Sequence, residues 1–353
     1  MCVACRQSSK TQGDKEEPWV SLPGKTQGSS LFCTLYNGSM PTLRTSTRYV
    51  LSVGGGMLRL WDKERGLVAE IPPCVVVEKE TGELKLYGDE AAALEGKTPD
   101  HLEFVRVWSG DKVIDRTLLR SLLQYLLHVE LSSWSELWRR RLQTTLVIPE
   151  TVSPLHVRWL RRTAREAGWF LTPTVPMMRS FLQQQNRPAS AVQSVLDLGF
   201  TGARLVVAVG EEVLLAESES SLSLQAYTQR LSEYLLRKYA LEVAPSVFND
   251  QLWQQTRYMF DQQKKMPQQY APTQKDLQIV NKEWQGELVR FVQQQLQQLS
   301  DAQQAELQKQ GVWLLGGAAD LLSEELVEWP LALKRTSDAK YAVLRSLSKK
   351  GKS

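Results

Sequence analysis

The stretch Ser194-Val195-Leu196-Asp197-Leu198-Gly199-Phe200-Thr201-Gly202-Ala203-Arg204-Leu205-Val206-Val207-Ala208-Val209 is the part of the sequence on which the fold turns. Residues 194–198 read as a strand, residues 199–202 as a glycine turn and residues 203–209 as the returning strand, with a third strand at 213–217. The same grammar appears nearer the N-terminus. Residues 48–53 form a strand-like run, Gly54-Gly55-Gly56 a turn, and residues 57–61 resume the strand. A late strand at 312–315 ends in Gly316-Gly317-Ala318-Ala319, with a helix predicted from Asp320. The chain thus holds two similar halves, each opening strand, glycine turn, strand.

The intervening segments fill out the halves. Residues 67–71, 74–78 and 84–87 continue a meander of strands. Leu118, Leu119, Leu122, Leu123, Leu126 and Leu127 have helical spacing, so an amphipathic helix follows. Residues 146–149 are a short buried strand. Ser153 is a plausible N-cap with Pro154 at the first helical position, Gly168 stops that helix, and residues 169–171 are the next strand. Strand, helix, strand in this order is an α/β unit. Trp134 to Leu142 reads as a helix whose Trp and Arg side chains sit either at a headgroup interface or in the core. In the second half, helices are predicted at 224–239 and about 277–299. The glutamine-rich stretch from 251 to 310 keeps apolar residues at helical spacing, so its glutamines occupy a wet face; no heptad repeat persists long enough for a coiled coil.

A length of 353 residues suits two domains. Apolar residues at 42% and charged residues at 23% argue against wholesale disorder. The net charge of +4 is small, and outside Arg139–Arg141, Arg161–Arg162 and the tail the bases are interleaved with acids, which argues against a nucleic-acid groove. The short arginine runs are solvated helix faces, or contacts for anionic lipid or an acidic patch on a partner. Cys2, Cys5, Cys33 and Cys74 form no disulfide framework, and no second pair or histidine completes a zinc site around Cys2 and Cys5. There is neither a run of about 20 apolar residues nor a secretory h-region. The expectation is a soluble protein of a reducing cytoplasm. Its parts are a flexible extension at 1–47, a first domain at 48–182 with a small subdomain at about 70–102, a linker at 183–192, a second domain at 193–346 and a basic tail at 347–353.

Two glycine hairpins in separate halves plus a late strand ending in Gly-Gly form the layout with which the actin, Hsp70 and sugar-kinase superfamily binds ATP. Glycines let backbone N–H groups approach phosphate, and strand-end acids position magnesium and water. Within that superfamily the chain resembles MreB, the bacterial actin homologue that determines rod shape. Residues 72–77 and 82–96 with Lys97-Thr98-Pro99 resemble its small-subdomain strands and Gly-Arg-Thr-Pro segment. Residues 111–114 resemble its Asp-Gly-Val-Ile turn, residues 147–149 with Arg158, Arg161 and residues 164–168 its Val-Pro strand and Arg-rich helix, and residues 313–319 its adenosine segment. The resemblance implies an α/β, actin-like two-domain fold with a nucleotide cleft between the halves. It also implies nucleotide contacts at Gly54, Gly55, Gly56, Asp197, Gly199, Thr201, Gly202, Gly316, Gly317 and Ala318.

The departures bear on chemistry. Ser52 stands where the family's first phosphate hairpin carries its Asp. Phe200, Thr201, Gly202 and Ala203 replace glycines and threonines, and Phe200 is expected to obstruct the turn. His156 falls at the water-orienting Glu, and Thr174-Val175-Pro176 replaces Glu-Glu-Pro. Leu222-Ser223-Leu224 replaces the helix-capping Gly-Gly-Asp. Asp197 remains, either to meet a metal or water or to cap its own turn. His156 is either a substitute base or an ordinary helix-surface histidine. Loss of both acids removes much of the positioning on which phosphoryl transfer depends. The expectation is an MreB-like filament protein of cell shape, with ATP and magnesium held weakly or not at all and no catalytic residue of its own. Its implied partners are itself or a related MreB and membrane-associated cell-wall machinery, at the inner face of the cell membrane. The alternatives are a non-polymerising actin-fold scaffold of division or pilus assembly and, less favoured because Ser52 replaces the acid, an actin-fold kinase.

Overall fold

The computed structural model describes residues 49–130, 143–172, 174–185, 187–188, 190–243, 245, 248, 274–322 and 327–349. The chain opens with β1 (Tyr49–Val53), β2 (Leu58–Asp62) and β3 (Gly66–Ile71), an antiparallel meander. A separate small sheet follows from β4 (Cys74–Glu78), β5 (Leu84–Tyr87) and β6 (Leu102–Arg106), with α1 (Gly88–Ala92) between the last two. A short hairpin of β7 (Trp108–Ser109) and β8 (Lys112–Val113) leads into α2 (Arg116–Glu130). Then come β9 (Gln143–Ile148), α3 (Pro154–Glu166), β10 (Phe170–Leu171), β11 (Val175–Pro176) and α4 (Met177–Leu182). β9 lies parallel to β1, and β10 and β11 both lie parallel to β9, so this sheet runs β3-β2-β1-β9-β10.

The second half repeats that design. β12 (Val192–Leu198), β13 (Ala203–Val209) and β14 (Glu212–Glu219) form the meander, followed by α5 (Leu224–Tyr239), α6 (Gln274–Leu296) and α7 (Asp301–Gln310). β15 (Val312–Leu315) lies parallel to β12 and β16 (Leu333–Arg335) parallel to β15, giving the order β14-β13-β12-β15-β16. The chain ends in α8 (Ala342–Lys349). In both sheets, three antiparallel strands are continued by parallel ones, three in the first sheet and two in the second.

Local chemistry accounts for these elements. β1 is buried at every position and β12 likewise, as central strands covered on both faces must be. α2 buries Leu119, Leu122, Leu123 and Leu126 at helical spacing. α3 starts where Ser153 Oγ accepts the His156 N–H and Pro154 presets the first turn, and Gly168, at φ +96°, ends its return. Ser300 and Gln303 cap α7 reciprocally. Cys74 is a buried free thiol whose pKa burial pushes up to about 12; the other cysteines lie outside the described residues.

Four expectations change. The helix predicted from Asp320 is one 3-10 turn, Ala319–Leu321, because Arg335 donates to the Ala319 and Leu322 carbonyls (3.1 and 2.8 Å), which a continuing helix would use. The long glutamine-rich helix stops at Leu296, and a second one is capped afresh at Ser300. The basic tail expected from 347 is helical as far as Lys349, since Val343, Leu344 and Leu347 all find apolar cover. Strands β6, β7 and β8 were not anticipated, being short and without clean alternation. The N-terminal extension, the helix expected at Trp134 to Leu142 and residues 251–273 lie outside the described residues.

Each sheet has its own core, and a third joins them. Val50, Trp61 and Val147 of the first sheet and Val195, Val206 and Leu315 of the second close on Phe181 and Leu182 of α4 and on Leu344 and Leu347 of α8. The two helices therefore form a layer between the sheets, and residues 46–353 make one compact unit. Among the described residues no helix is long and apolar enough to cross a membrane.

Candidate functional site

The glycine turns meet where the two sheets face each other. The first closes with the Gly54 N–H on the Met57 carbonyl (3.1 Å), Gly55 and Gly56 lying between, and the second with the Gly199 N–H on the Gly202 carbonyl (2.9 Å). They touch. A Cβ on Gly55 would lie 1.9 Å from Thr201 Oγ1, so only glycine fits there. Thr201 is buried and its hydroxyl has no hydrogen-bond partner among the described residues. The third turn reaches the same place. Gly316 has φ +89°, and a Cβ on it would lie 2.6 Å from Asp197 Oδ1 and 2.3 Å from the Leu198 carbonyl oxygen, which also accepts the Ala318 N–H at 3.0 Å; Gly317 lies between them. The structure thus brings Gly55 to Thr201 and Gly316 and Ala318 to the end of β12.

At their junction stands Arg204, which the sequence reading passed over. Its Nη1 donates to Asp197 Oδ2 at 2.8 Å, its Nε to Asp111 Oδ2 at 2.8 Å and its Nη2 to Asp111 Oδ1 at 2.5 Å. Thr151 Oγ1 donates to Asp111 as well. All three charged groups are buried. Asp111, at φ +61° in the β7–β8 turn, belongs to the first half, and Arg204 and Asp197 to the second, so a forked guanidinium–carboxylate pair ties the halves together. One signal was available. Arg204 is the lone charge in a strand buried at six of seven positions, and a buried cation requires carboxylates.

The three ionisations differ in direction. Burial opposes the charge of Asp111, but Arg204, through its charge and hydrogen bonds, together with Thr151, holds that carboxyl below the usual range. At Asp197 burial dominates and raises the pKa; Arg204 opposes the rise and Asp111 adds to it. Burial alone would lower Arg204, and its two carboxylates raise it instead. One cation shared by two buried acids leaves Asp197 the less well compensated of the two.

A cavity of about 770 Å³ opens beside this group, with Lys112, Thr201, Ser218, Glu219 and Gln229 on its wall. The start of α5 also lines it, but the amides there are taken: Leu224 and Gln225 donate to the Gly199 and Phe200 carbonyls (3.1 and 2.9 Å) and Ala226 to Ser223 Oγ (3.1 Å). Among the described residues no three His, Cys, Asp or Glu side chains gather as a metal site requires.

The sequence model of the MreB/Mbl protein family matches residues 48–213. The cell shape-determining protein Mbl of Bacillus cereus is 20% identical over 210 residues, 57% of this chain and 60% of that protein, so the chain matches less than two thirds of that relative's length. Among solved structures, MreB 5 of Spiroplasma citri bound to AMPPNP superposes with a TM-score of 0.71 at 15% identity, covering 86% of this chain and 96% of that one. The chain has the actin-like fold of these structures and is similar to the MreB/Mbl family over residues 48–213. The ADP-bound form of MreB5 gives a TM-score of 0.68 over the same shares at 15% identity. The MamK double helical filament gives 0.62 at 12% identity, over 87% of this chain and 99% of that one.

The positions expected to differ from the MreB pattern are placed as follows. Ser52 is buried in β1, opposite Arg59 on β2 and beside Val147 on β9. His156 Nδ1 accepts the Val113 N–H at 3.2 Å, and its ring stands edge-on to Trp159 at 4.9 Å. That bond fastens α3 to β8, two residues from Asp111. The ring of Phe200 is buried in the second core, with the Arg106 guanidinium 4.5 Å above it. The crowding expected of Phe200 is therefore supplied by Thr201 and Arg204. Val175 and Pro176 pair with β9. Within Leu222-Ser223-Leu224, Ser223 caps α5 by accepting the Ala226 N–H. Glu150, unremarked in the sequence, accepts the Met178 and Arg179 N–H groups (3.1 and 2.6 Å) at the start of α4.

Proposed function

We propose that this MreB-like chain is an actin-like cytoskeletal protein of bacterial cell shape that forms or joins filaments, and that ATP binding and hydrolysis are weak or lost. The reading rests above all on Arg204. Asp197, the one acid carried over from the family's phosphate turns, is spent on a buried guanidinium, and Ser52 offers no charge in place of the other acid. Magnesium needs free carboxylate oxygens or phosphates at octahedral positions, and these residues do not match it. With Gly55 against Thr201, the two turns lean on each other rather than on a phosphate. In an actin fold the bound nucleotide biases the angle between halves; here Arg204 supplies a permanent bond across the same divide. The MreB5 structures hold AMPPNP and ADP and MamK forms a double helical filament, which supports filament formation as the fold's use and nucleotide as its usual ligand. A cytoplasmic place at the inner face of the membrane, beside the cell-wall machinery, accords with this role.

The test is sedimentation and electron microscopy of the full chain, alone and with an MreB, with and without Mg-ATP. The expected result is filaments or co-filaments indifferent to ATP and phosphate release at background. Steady hydrolysis abolished by Asp197→Asn would sink the reading. Absence of polymer under every condition would replace the filament role with that of a non-polymerising scaffold.

A further inference from the structure

The outer face of α3 has no part in the cleft, and its charge is one-sided. Val157, Leu160, Thr163 and Ala164 face inward, which turns Arg158, Arg162 and Arg165 outward at spacings of three and four, with Arg161 half-buried beside them. α2 packs alongside, and Arg116 and Arg120 lie close enough to act on Glu166. Six arginines and no lysine thus surround one carboxylate. Glu166 is held by Arg162 at 2.7 Å and approached by Arg116 at 3.9 Å, which leaves Arg158, Arg161 and Arg165 with no acidic partner among the described residues. The face is short of acceptors in another respect: the Nε groups of Arg116 and Arg161 find no hydrogen-bond partner among the described residues.

We propose that this face docks an acidic, amphipathic helical segment of a partner protein. Three observations favour that occupant. The cations are all guanidiniums, whose planar fork can match carboxylates two bonds at a time, and Glu166 already accepts one bond here, from Arg162 Nε at 2.7 Å. The side chains of Arg158, Arg161, Arg162 and Arg165 line, with Glu166, an open hollow of about 360 Å³ in which side-chain carboxylates can lie among several guanidiniums. Leu155 is 45% exposed one turn before Arg158 and two turns before Arg162 on the same side of the helix, an apolar foothold at the end of the arginine row. A helix with glutamates at spacings of three and four and a terminal leucine complements this pattern.

The probe is a labelled synthetic helix with glutamates at i, i+3, i+4 and i+7 and a leucine one turn beyond, titrated with the full chain by fluorescence anisotropy. A glutamine-for-glutamate version and vesicles of anionic and of neutral phospholipid serve as the other arms. Saturable binding of the glutamate peptide alone is expected, weakened by added salt and at least tenfold weaker in Arg158→Glu/Arg165→Glu. The milder Arg158→Gln/Arg165→Gln, with an unchanged circular-dichroism melt, guards against a folding defect. Equal binding by the variants, or no binding of the glutamate peptide, overturns the proposal. Vesicle binding lost in the same variants without peptide binding would make the face a membrane contact instead.

Discussion

Arg204 carries the most consequence of any single side chain. Arg204→Met should leave two carboxylates buried without a cation and cost about 3–5 kcal/mol in urea unfolding at neutral pH. The two acids should not behave alike. Asp111, with its pKa held down, contributes stability that is present above its unfolded value of about 4 and lost as pH falls through its lower folded value. Asp197, with its pKa raised, acts in the opposite sense: its contribution is full below the unfolded value and lost as pH rises through the folded one. Asp111→Asn is therefore expected to be the more damaging at pH 7 and to weaken the acid limb of the stability profile. Asp197→Asn should be the milder and should flatten the profile on the neutral side. Melting both variants from pH 3 to 8 checks the order; an equal loss at pH 7 would contradict it. Arg204 was recognisable in the sequence as a charge in a buried strand. Its partner was not, because Asp111 lies 93 residues away and looks locally like any turn residue.

At the scale of elements, short-range chemistry governs. The cap at Ser153, the proline after it, the leucine spacing of α2 and the span of α5 were all readable, because capping and helical period act within a turn or two. Ser153→Ala should cost about 1 kcal/mol in chemical denaturation. The start of α4 is different in kind. Its amides are satisfied by Glu150, 28 residues earlier, so Glu150→Ala should strip two N–H groups of their acceptor and cost about 1–3 kcal/mol, with faster amide exchange at Met178 and Arg179 as the local sign. No local pattern marks Glu150 as a cap. The 3-10 turn at Ala319–Leu321 also answers to a distant residue, since Arg335 reaches in from a later strand to take the Ala319 and Leu322 carbonyls.

For the whole molecule, the joint between halves is the deciding feature. Glu70 on β3 receives Arg59 at 2.8 Å, the Tyr341 hydroxyl at 2.8 Å and Lys340 at 3.0 Å, so the segment leading into α8 is bound back to the first sheet across some 270 residues. Glu70→Ala should loosen α8, seen as accelerated hydrogen exchange over 341–349 while β12 and β13 stay protected; unchanged exchange there would mean that the apolar layer alone holds the helix. The sequence by itself determined most of the kinds of elements and the repeated strand–glycine–strand opening, because residue periodicity and glycine's backbone freedom are local properties. Only the tertiary structure decided that Gly55 rests on Thr201, that Arg204 answers both Asp111 and Asp197, and that α4 and α8 form a layer between the sheets. Those contacts depend on how two independently patterned sheets pack, and neither a charge nor an apolar residue records in its own neighbourhood which distant group it will meet.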